Sequence, residues 1–162
     1  MPQLTPSGFI AGSMVLMADG SERPIEHVQT GMRVVCPSGA HQRVSRTYQQ
    51  DHTGDLVSIS TALNRRSVTA TPVQRFSMYR NGNSGSQFVD GTETPEWMAV
   101  EDLAVGNRLL LCAPAELAVS ALSVARKSGF VGSVYSLQIA SECAFICNGY
   151  AVHSRPTETK PH

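Results

Sequence analysis

Apolar positions along the chain fall into short runs, each broken after a few residues by glycine, proline, asparagine or aspartate. The segments "MRVVCPSG", "QRVSRTYQQ" and "GDLVSIS" are brief, rich in β-branched residues and bounded by turn formers, which predicts separate strands. "IEHVQTG" instead spaces its apolar residues three apart and ends on glycine, which predicts one helical turn with a C-terminal glycine cap. In "VLMADGSERPI", Asp19-Gly20 lies between two apolar runs, a hairpin signal because a tight turn needs positive φ. "MYRNGNSGSQFVDGTETPEW" carries Asn81-Gly82 and Asp90-Gly91 around a short run at Gln87–Val89, so an exposed, mobile hairpin is expected there.

The same phrase occurs twice. "IEHVQTGMRVV" from Ile25 and "VEDLAVGNRLL" from Val100 share Glu26/Glu101, Gly31/Gly106 and Arg33/Arg108, with apolar matches at Val28/Leu103, Val34/Leu109 and Val35/Leu110. A second block follows each copy. Val44-Ser45-Arg46 answers Val124-Ala125-Arg126, and Gly54 to Ile59 answers Gly132 to Leu137. Chance similarity accounts for one short amphipathic phrase, but two blocks in the same order favour internal duplication. The expected fold class is all-β, built from two duplicated halves related by a pseudo-twofold.

Composition narrows the possibilities. A chain of 162 residues suits one domain with its own core. Its hydrophobic fraction of 41% and charged fraction of 16% are globular values, and no window approaches the roughly 20 apolar residues of a membrane span. Thirteen basic residues balance thirteen acidic ones, and only "NRR" at Asn64–Arg66 clusters positive charge, so neither nucleic acid nor membrane is an expected partner. Cys36, Cys112, Cys143 and Cys147 form no CxxC pairs and read as small buried apolar residues. Cys143 and Cys147 would share one face of a strand, but a metal site needs more converging ligands. The start "MPQLTPSGFIAG" has no basic region followed by an apolar one, so no signal peptide is expected.

Four segments then carry a family resemblance: "GFIAGSMVLMADGSERPIEHVQTGMRV", "VTATPVQRF", "EWMAVEDLAVGNRLL" and "VYSLQIASECAFICNGYAVHS". In order and spacing they resemble the Hint (Hedgehog/intein) domain, over Gly8 to Ser154, with residues 1–7 and 155–162 as flanks. The resemblance implies a horseshoe-shaped all-β fold of two duplicated halves and a family that cuts or splices its own backbone. In such domains a first-position Cys, or sometimes Ser, attacks the preceding carbonyl and converts that peptide bond to a thioester or ester. A Thr and a His of a TxxH block assist at the scissile bond. Splicing members then release the downstream side by cyclisation of a terminal Asn after His, whereas Hedgehog-type members pass the thioester to an external nucleophile. No metal or organic cofactor is implied.

Carried over residue by residue, most of that machinery is substituted. The family's Cys-Phe-x-Ala-Gly-Thr reads Gly8-Phe9-Ile10-Ala11-Gly12-Ser13, and glycine has no side-chain sulfur or oxygen to accept an acyl group. The TxxH block reads Thr71-Pro72-Val73-Gln74, and a Gln amide has no titratable proton near neutral pH. At the end, "AVHS" keeps His153 but places Ser154 at the cyclising Asn. Glu142 and Cys143 stand where many members carry a further histidine. Gly8, Thr71, Gln74, His153 and Ser154 are therefore the positions of the family site. Ser7 is a substitute nucleophile only if the Pro6–Ser7 bond slips into place; an exposed linker serine is the better reading. Ser13 reads as a packing or turn residue, and His153 either titrates usefully or persists as a satisfied, partly buried polar residue. His27, His41 and His52 read as surface residues.

These substitutions lead to the expectation of a Hint domain that is catalytically inactive through drift, since deliberate inactivation normally uses Ala at the nucleophile and the last Asn. With residues 1–7 and 155–162 as the flanks, little cargo for release is expected. The expected partner is the chain's own flanking polypeptide or another peptide segment, and a monomer is expected. Two alternatives stand: a peptide-binding or structural module using the former scissile-bond cleft, and residual autocleavage through a nonstandard nucleophile. The short stretch between "TATPVQRF" and "EWMAVEDL" leaves no room for an inserted nuclease. Gly8→Cys alone is expected to restore slow thiol-induced cleavage before residue 8.

Overall fold

The structure, a computed structural model, describes residues 6–37, 39–61, 67–79, 96–103, 108–111, 117–140 and 144–154. Among the described residues there are twelve strands: β1 (Phe9–Ile10), β2 (Met14–Leu16), β3 (Glu22–Pro24), β4 (Arg33–Val35), β5 (His41–Thr61), β6 (Val68–Ala70), β7 (Arg75–Tyr79), β8 (Glu96–Ala99), β9 (Arg108–Leu111), β10 (Leu117–Ile139), β11 (Ala144–Cys147) and β12 (Tyr150–His153). Two 3-10 turns, Ile25–His27 and Val100–Asp102, complete the regular elements, and no α-helix occurs among the described residues. The fold is all-β, as the short β-branched runs require.

Hydrogen bonding connects the strands in the order β3-β2-β11-β12-β7-β9-β10-β1-β6-β5-β4, with β8 attached to β7 and further pairings of β12 with β9 and β10 with β5. A succession of elements recurs along the chain. The hairpin β2–β3, the first 3-10 turn, β4 and the long β5 are followed later by the hairpin β7–β8, the second 3-10 turn, β9 and the long β10. Both turns begin on a buried residue and close alike, Val28 N–H donating to Ile25 O and Leu103 N–H to Val100 O, each at 3.2 Å. β4 pairs with the start of β5 through Val35↔His41, and β9 with the start of β10 through Leu111↔Leu117.

Several local expectations change. The helical turn in "IEHVQTG" ends at Val28, which is already extended at φ −76° and ψ 132°, so Gly31 is not its cap. Gly31 belongs to the next turn, where its N–H donates to Val44 O at 2.8 Å. "QRVSRTYQQ" and "GDLVSIS" are not two strands but parts of β5. β10 lies beside β5 from Val44↔Ile139 to Thr61↔Ala121, so cross-strand bonds carry the backbone through Asp51–Gly54 where turn residues suggested a break. The ladder shifts register opposite Ala121–Ser123, Lys127–Phe130 and Gln138–Ile139, and Asp51–Thr53 pair without interruption. His52 is consequently buried at 6% exposure, not a surface residue. Its Nε2 lies 2.8 Å from Asp55 O, and its ring stacks on Phe130 at 6.1 Å. His27 and His41 are exposed.

The Asp19-Gly20 hairpin joins β2 to β3: Met17 N–H donates to Ser21 O at 2.8 Å, and Asp19 Oδ1 accepts from Ser21 N–H at 2.9 Å. The hairpin expected around Asn81-Gly82 and Asp90-Gly91, together with Gly106, Cys112 and Cys143, lies outside the described residues. Cys36 and Cys147 are buried. At the centre of the core, Phe9 meets Phe76 and Phe145 edge-on, both at 6.1 Å, and Phe76 meets Tyr150 at 6.2 Å. Burying a side chain such as Phe9 is worth about 1.5–3 kcal/mol, and this anchor immediately follows Gly8.

Candidate functional site

Strand β1 is held on both sides, Phe9 pairing with Tyr135 of β10 and with Ala70 of β6. That places Gly8 in a buried position against the main chain of Tyr135. Its φ is +155°, and a Cβ added there would lie 2.8 Å from the Tyr135 carbonyl oxygen. A residue with a side chain does not fit this backbone as it stands. The expectation that a cysteine simply restores the first step therefore needs correction: β1 or Tyr135 must move before a sulfur can occupy this place. Ser7, just upstream, is half-buried.

Beyond β6 the chain turns sharply, with Gln74 N–H donating to Thr71 O at 3.0 Å. This turn meets Gly8 directly, since Thr71 N–H donates to Gly8 O at 3.0 Å. The second 3-10 turn docks behind it, Val100 N–H bonding to Gln74 O at 2.8 Å and Glu101 N–H to Pro72 O at 3.1 Å. Thr71 and Gln74 are both fully enclosed, at 0% and 1% exposure. The Gln74 amide spans two segments: Nε2 donates to Arg75 O at 3.1 Å and to His153 O at 2.9 Å. Gln74 Oε1 and Thr71 Oγ1 make no hydrogen bond among the described residues. The former accepts only, so its missing partner is an N–H or O–H group.

His153 ends β12. Its Nδ1 lies 2.5 Å from Ser154 O, and because a carbonyl only accepts, Nδ1 carries the proton and Nε2 the lone pair of the neutral ring. Trp97 of β8 covers the imidazole edge-on, with centroids 4.7 Å apart and planes at 90°. Burial lowers the His153 pKa from its ordinary value and the Arg75 charge adds to this, while the bond to Ser154 opposes it. Ser154 is buried at 2% exposure.

Gly8, Thr71, Gln74 and His153 are thus joined by one chain of hydrogen bonds, and Ser154 adjoins its end. Position 8 presents no nucleophilic atom there. Ser13 stands apart in the turn after β1, buried, with its hydroxyl donating to Ile10 O at 2.8 Å. Among the described residues no group of three or more His, Cys, Asp or Glu side chains is placed to hold a metal ion. Trp97 was not recognisable from the sequence as part of this arrangement, because its contact crosses β7, between β8 and β12.

Comparison with solved structures finds intein folds. The chain resembles the bacterial intein-like domain from Clostridium thermocellum with a TM-score of 0.70 and 20% identity, over 94% of this chain and 100% of that one. It resembles a DnaB intein from Synechocystis with a TM-score of 0.70 and 18% identity, over 93% of this chain and 100% of that one. The TvoVMA intein gives a TM-score of 0.70 and 19% identity, over 90% and 96%. Among curated proteins, the chain is 29% identical over 136 residues to iron-sulfur cluster assembly SufBD family proteins of Mycobacterium bovis and Mycobacterium tuberculosis. The match covers 74% of this chain and only 16% of those proteins. No protein-family model matches the chain.

Proposed function

Because the chain has the intein-like Hint fold, we propose that it is a module of the self-processing family that retains the scaffold of backbone cleavage without performing it. The recurrence of hairpin, 3-10 turn, short strand and long strand supports an origin by internal duplication. The match to a small part of much longer mycobacterial proteins supports a module carried within, or attached to, another polypeptide, whose flanking segments are its partners. We assign no iron-sulfur role to this segment.

The observation that carries the reading is Gly8. Acyl transfer from the preceding carbonyl needs a side-chain nucleophile, and glycine supplies none. Gln74 supports the same conclusion, since its amide bonds two backbone carbonyls and offers no titratable proton to a leaving nitrogen. Ser154 has no carboxamide with which to cyclise. The test is intact-mass analysis of the chain fused at both ends to folded reporters, incubated with and without thiol. The fusion should remain whole; thiol-dependent cleavage before residue 8 would overturn the proposal.

A second reading, retention as a peptide-binding or structural module, is favoured by Thr71 Oγ1 and Gln74 Oε1. Two enclosed polar atoms without partners suit a group offering both a donor and an acceptor, such as a peptide amide. Peptides from the sequence flanking residue 8, added to the isolated domain, should then shift the amide resonances of Thr71 and Gln74.

A further inference from the structure

A groove of about 610 Å³ lies beside Tyr135, where β10 passes β1, β5 and β6. Its apolar walls come from Ile10, Leu56, Phe130 and Tyr135. Phe130 is fixed in place: it stacks on the buried His52, and it lies so close over Gly132 that a Cβ there would be 2.9 Å from the ring. The groove is therefore largely preformed, and its volume falls within the range of small-molecule sites.

Its polar groups are unevenly committed. The Thr69 hydroxyl is bonded to Ser58, and the Ser133 hydroxyl accepts from Gln49. Among the described residues, by contrast, the Lys127 ammonium makes no ion pair and the Tyr135 hydroxyl no hydrogen bond. The neighbouring Arg126 is occupied by Asp55 and Glu101, at 2.6 and 3.4 Å, so Lys127 is the cation left to a ligand. Among the described residues no acidic one lines the groove. An uncompensated cation and a free phenolic donor beside apolar walls complement a carboxylate on an apolar body.

Peptides recognised on sheets add to an open strand edge. Where β1, β6 and Val134–Tyr135 of β10 line the groove, each has hydrogen-bonded neighbours on both sides, so this part of the groove offers no open edge. We infer that this groove is a binding site for a small amphipathic monocarboxylate, with Lys127 and Tyr135 holding the carboxylate and Ile10, Leu56 and Phe130 the apolar body. This site is independent of the self-processing reading.

Octanoate, 1-octanol and octylammonium, titrated separately into the ¹⁵N-labelled full chain, provide the test. Octanoate should shift resonances of Ile10, Leu56, Thr69 and Phe130 saturably, and bind about tenfold or more tightly than octanol, as a charge-assisted hydrogen bond implies. Octylammonium should bind more weakly still. Lys127→Gln, an exposed substitution whose folding the same spectrum reports, should remove the preference of octanoate over octanol, and Tyr135→Phe should reduce it. Equal binding of octanoate and octanol, shifts centred elsewhere, or no saturation by about 10 mM octanoate would overturn the inference. So would a short acidic peptide that shifts these residues where octanoate does not.

Discussion

Placing any side chain at position 8 should destabilise the protein by more than the loss of a glycine normally costs. Gly8 has φ +155°, and its Cβ position lies 2.8 Å from Tyr135 O, with Tyr135 N and C both at 3.3 Å. All three atoms belong to the backbone of a strand paired on both sides, so they cannot rotate away as a side-chain tip would. Backbone strain for a non-glycine residue contributes about 1–3 kcal/mol, and accommodating the overlap adds about 1–3 kcal/mol, as overpacking does in a closed core. Gly12 supplies the control: its φ is also positive, at +87°, but an added Cβ meets nothing within 4 Å. Gly12→Ala thus reports strain alone, and the difference between Gly8→Ala and Gly12→Ala reports the overlap. For a chain of this length a kilocalorie shifts the melting temperature by about 2–4 °C, so Gly8→Ala should melt roughly 4–24 °C below the parent. Thermal unfolding and urea titration of the three proteins measure it. If Gly8→Ala is no more destabilising than Gly12→Ala, the close approach to Tyr135 is not real and the obstacle to a cysteine at this position disappears.

Three further outcomes follow from the geometry. His153 should titrate below the usual histidine range in NMR, and Trp97→Ala should raise its pKa by opening the ring to water. With the folded pKa depressed, the unfolded chain binds the proton first, so the stability His153 contributes is present above its ordinary pKa and is lost as pH falls through the folded value. Asn148→Ala should cost about 2–4 kcal/mol in urea titration: it removes bonds from Met14 N–H and to Ser67 O, and leaves alanine at φ +49°. Asn148→Gly should recover the backbone part of that loss. In the reporter fusions, intact mass should show no cleavage for Gly8→Cys alone, and downstream release should require Ser154→Asn in addition to upstream restoration.

What the sequence conveyed well was local. Asp19-Gly20 specifies its hairpin because the turn chemistry resides in adjacent residues, and the repeated phrase around Ile25 and Val100 marks two turns that close identically. Long-range pairing was not legible. Asp51–Gly54 has the composition of a break and is a strand only because β10 runs alongside, and His52 is buried for the same reason. The resemblance brought Gly8, Thr71, Gln74 and His153 to notice as positions. It did not convey that Gly8 faces a backbone carbonyl, that Gln74 ties two carbonyls together, or that Trp97 covers His153. Each of these depends on strands far apart in sequence, where no periodicity reports register.

On the proposed reading, the bonds that assemble the candidate site explain how the scaffold persists without its chemistry. Gly8 contributes its carbonyl, Thr71 its N–H and carbonyl, and His153 its carbonyl; all are main-chain atoms, available whatever the side chain. Selection for a folded domain would preserve these contacts and exert no pressure on a nucleophile. Gln74 is the exception, because its side chain participates. Its amide nitrogen carries two hydrogens and reaches both Arg75 O and His153 O. A neutral imidazole carries one N–H, so histidine at position 74 would bond at most one of those carbonyls. In this chain glutamine therefore links the turn after β6 to the end of β12, a structural task that histidine performs less completely. Gln74→His would trade part of that link for a titratable proton that, on the proposed reading, has no acyl intermediate to serve while position 8 remains glycine.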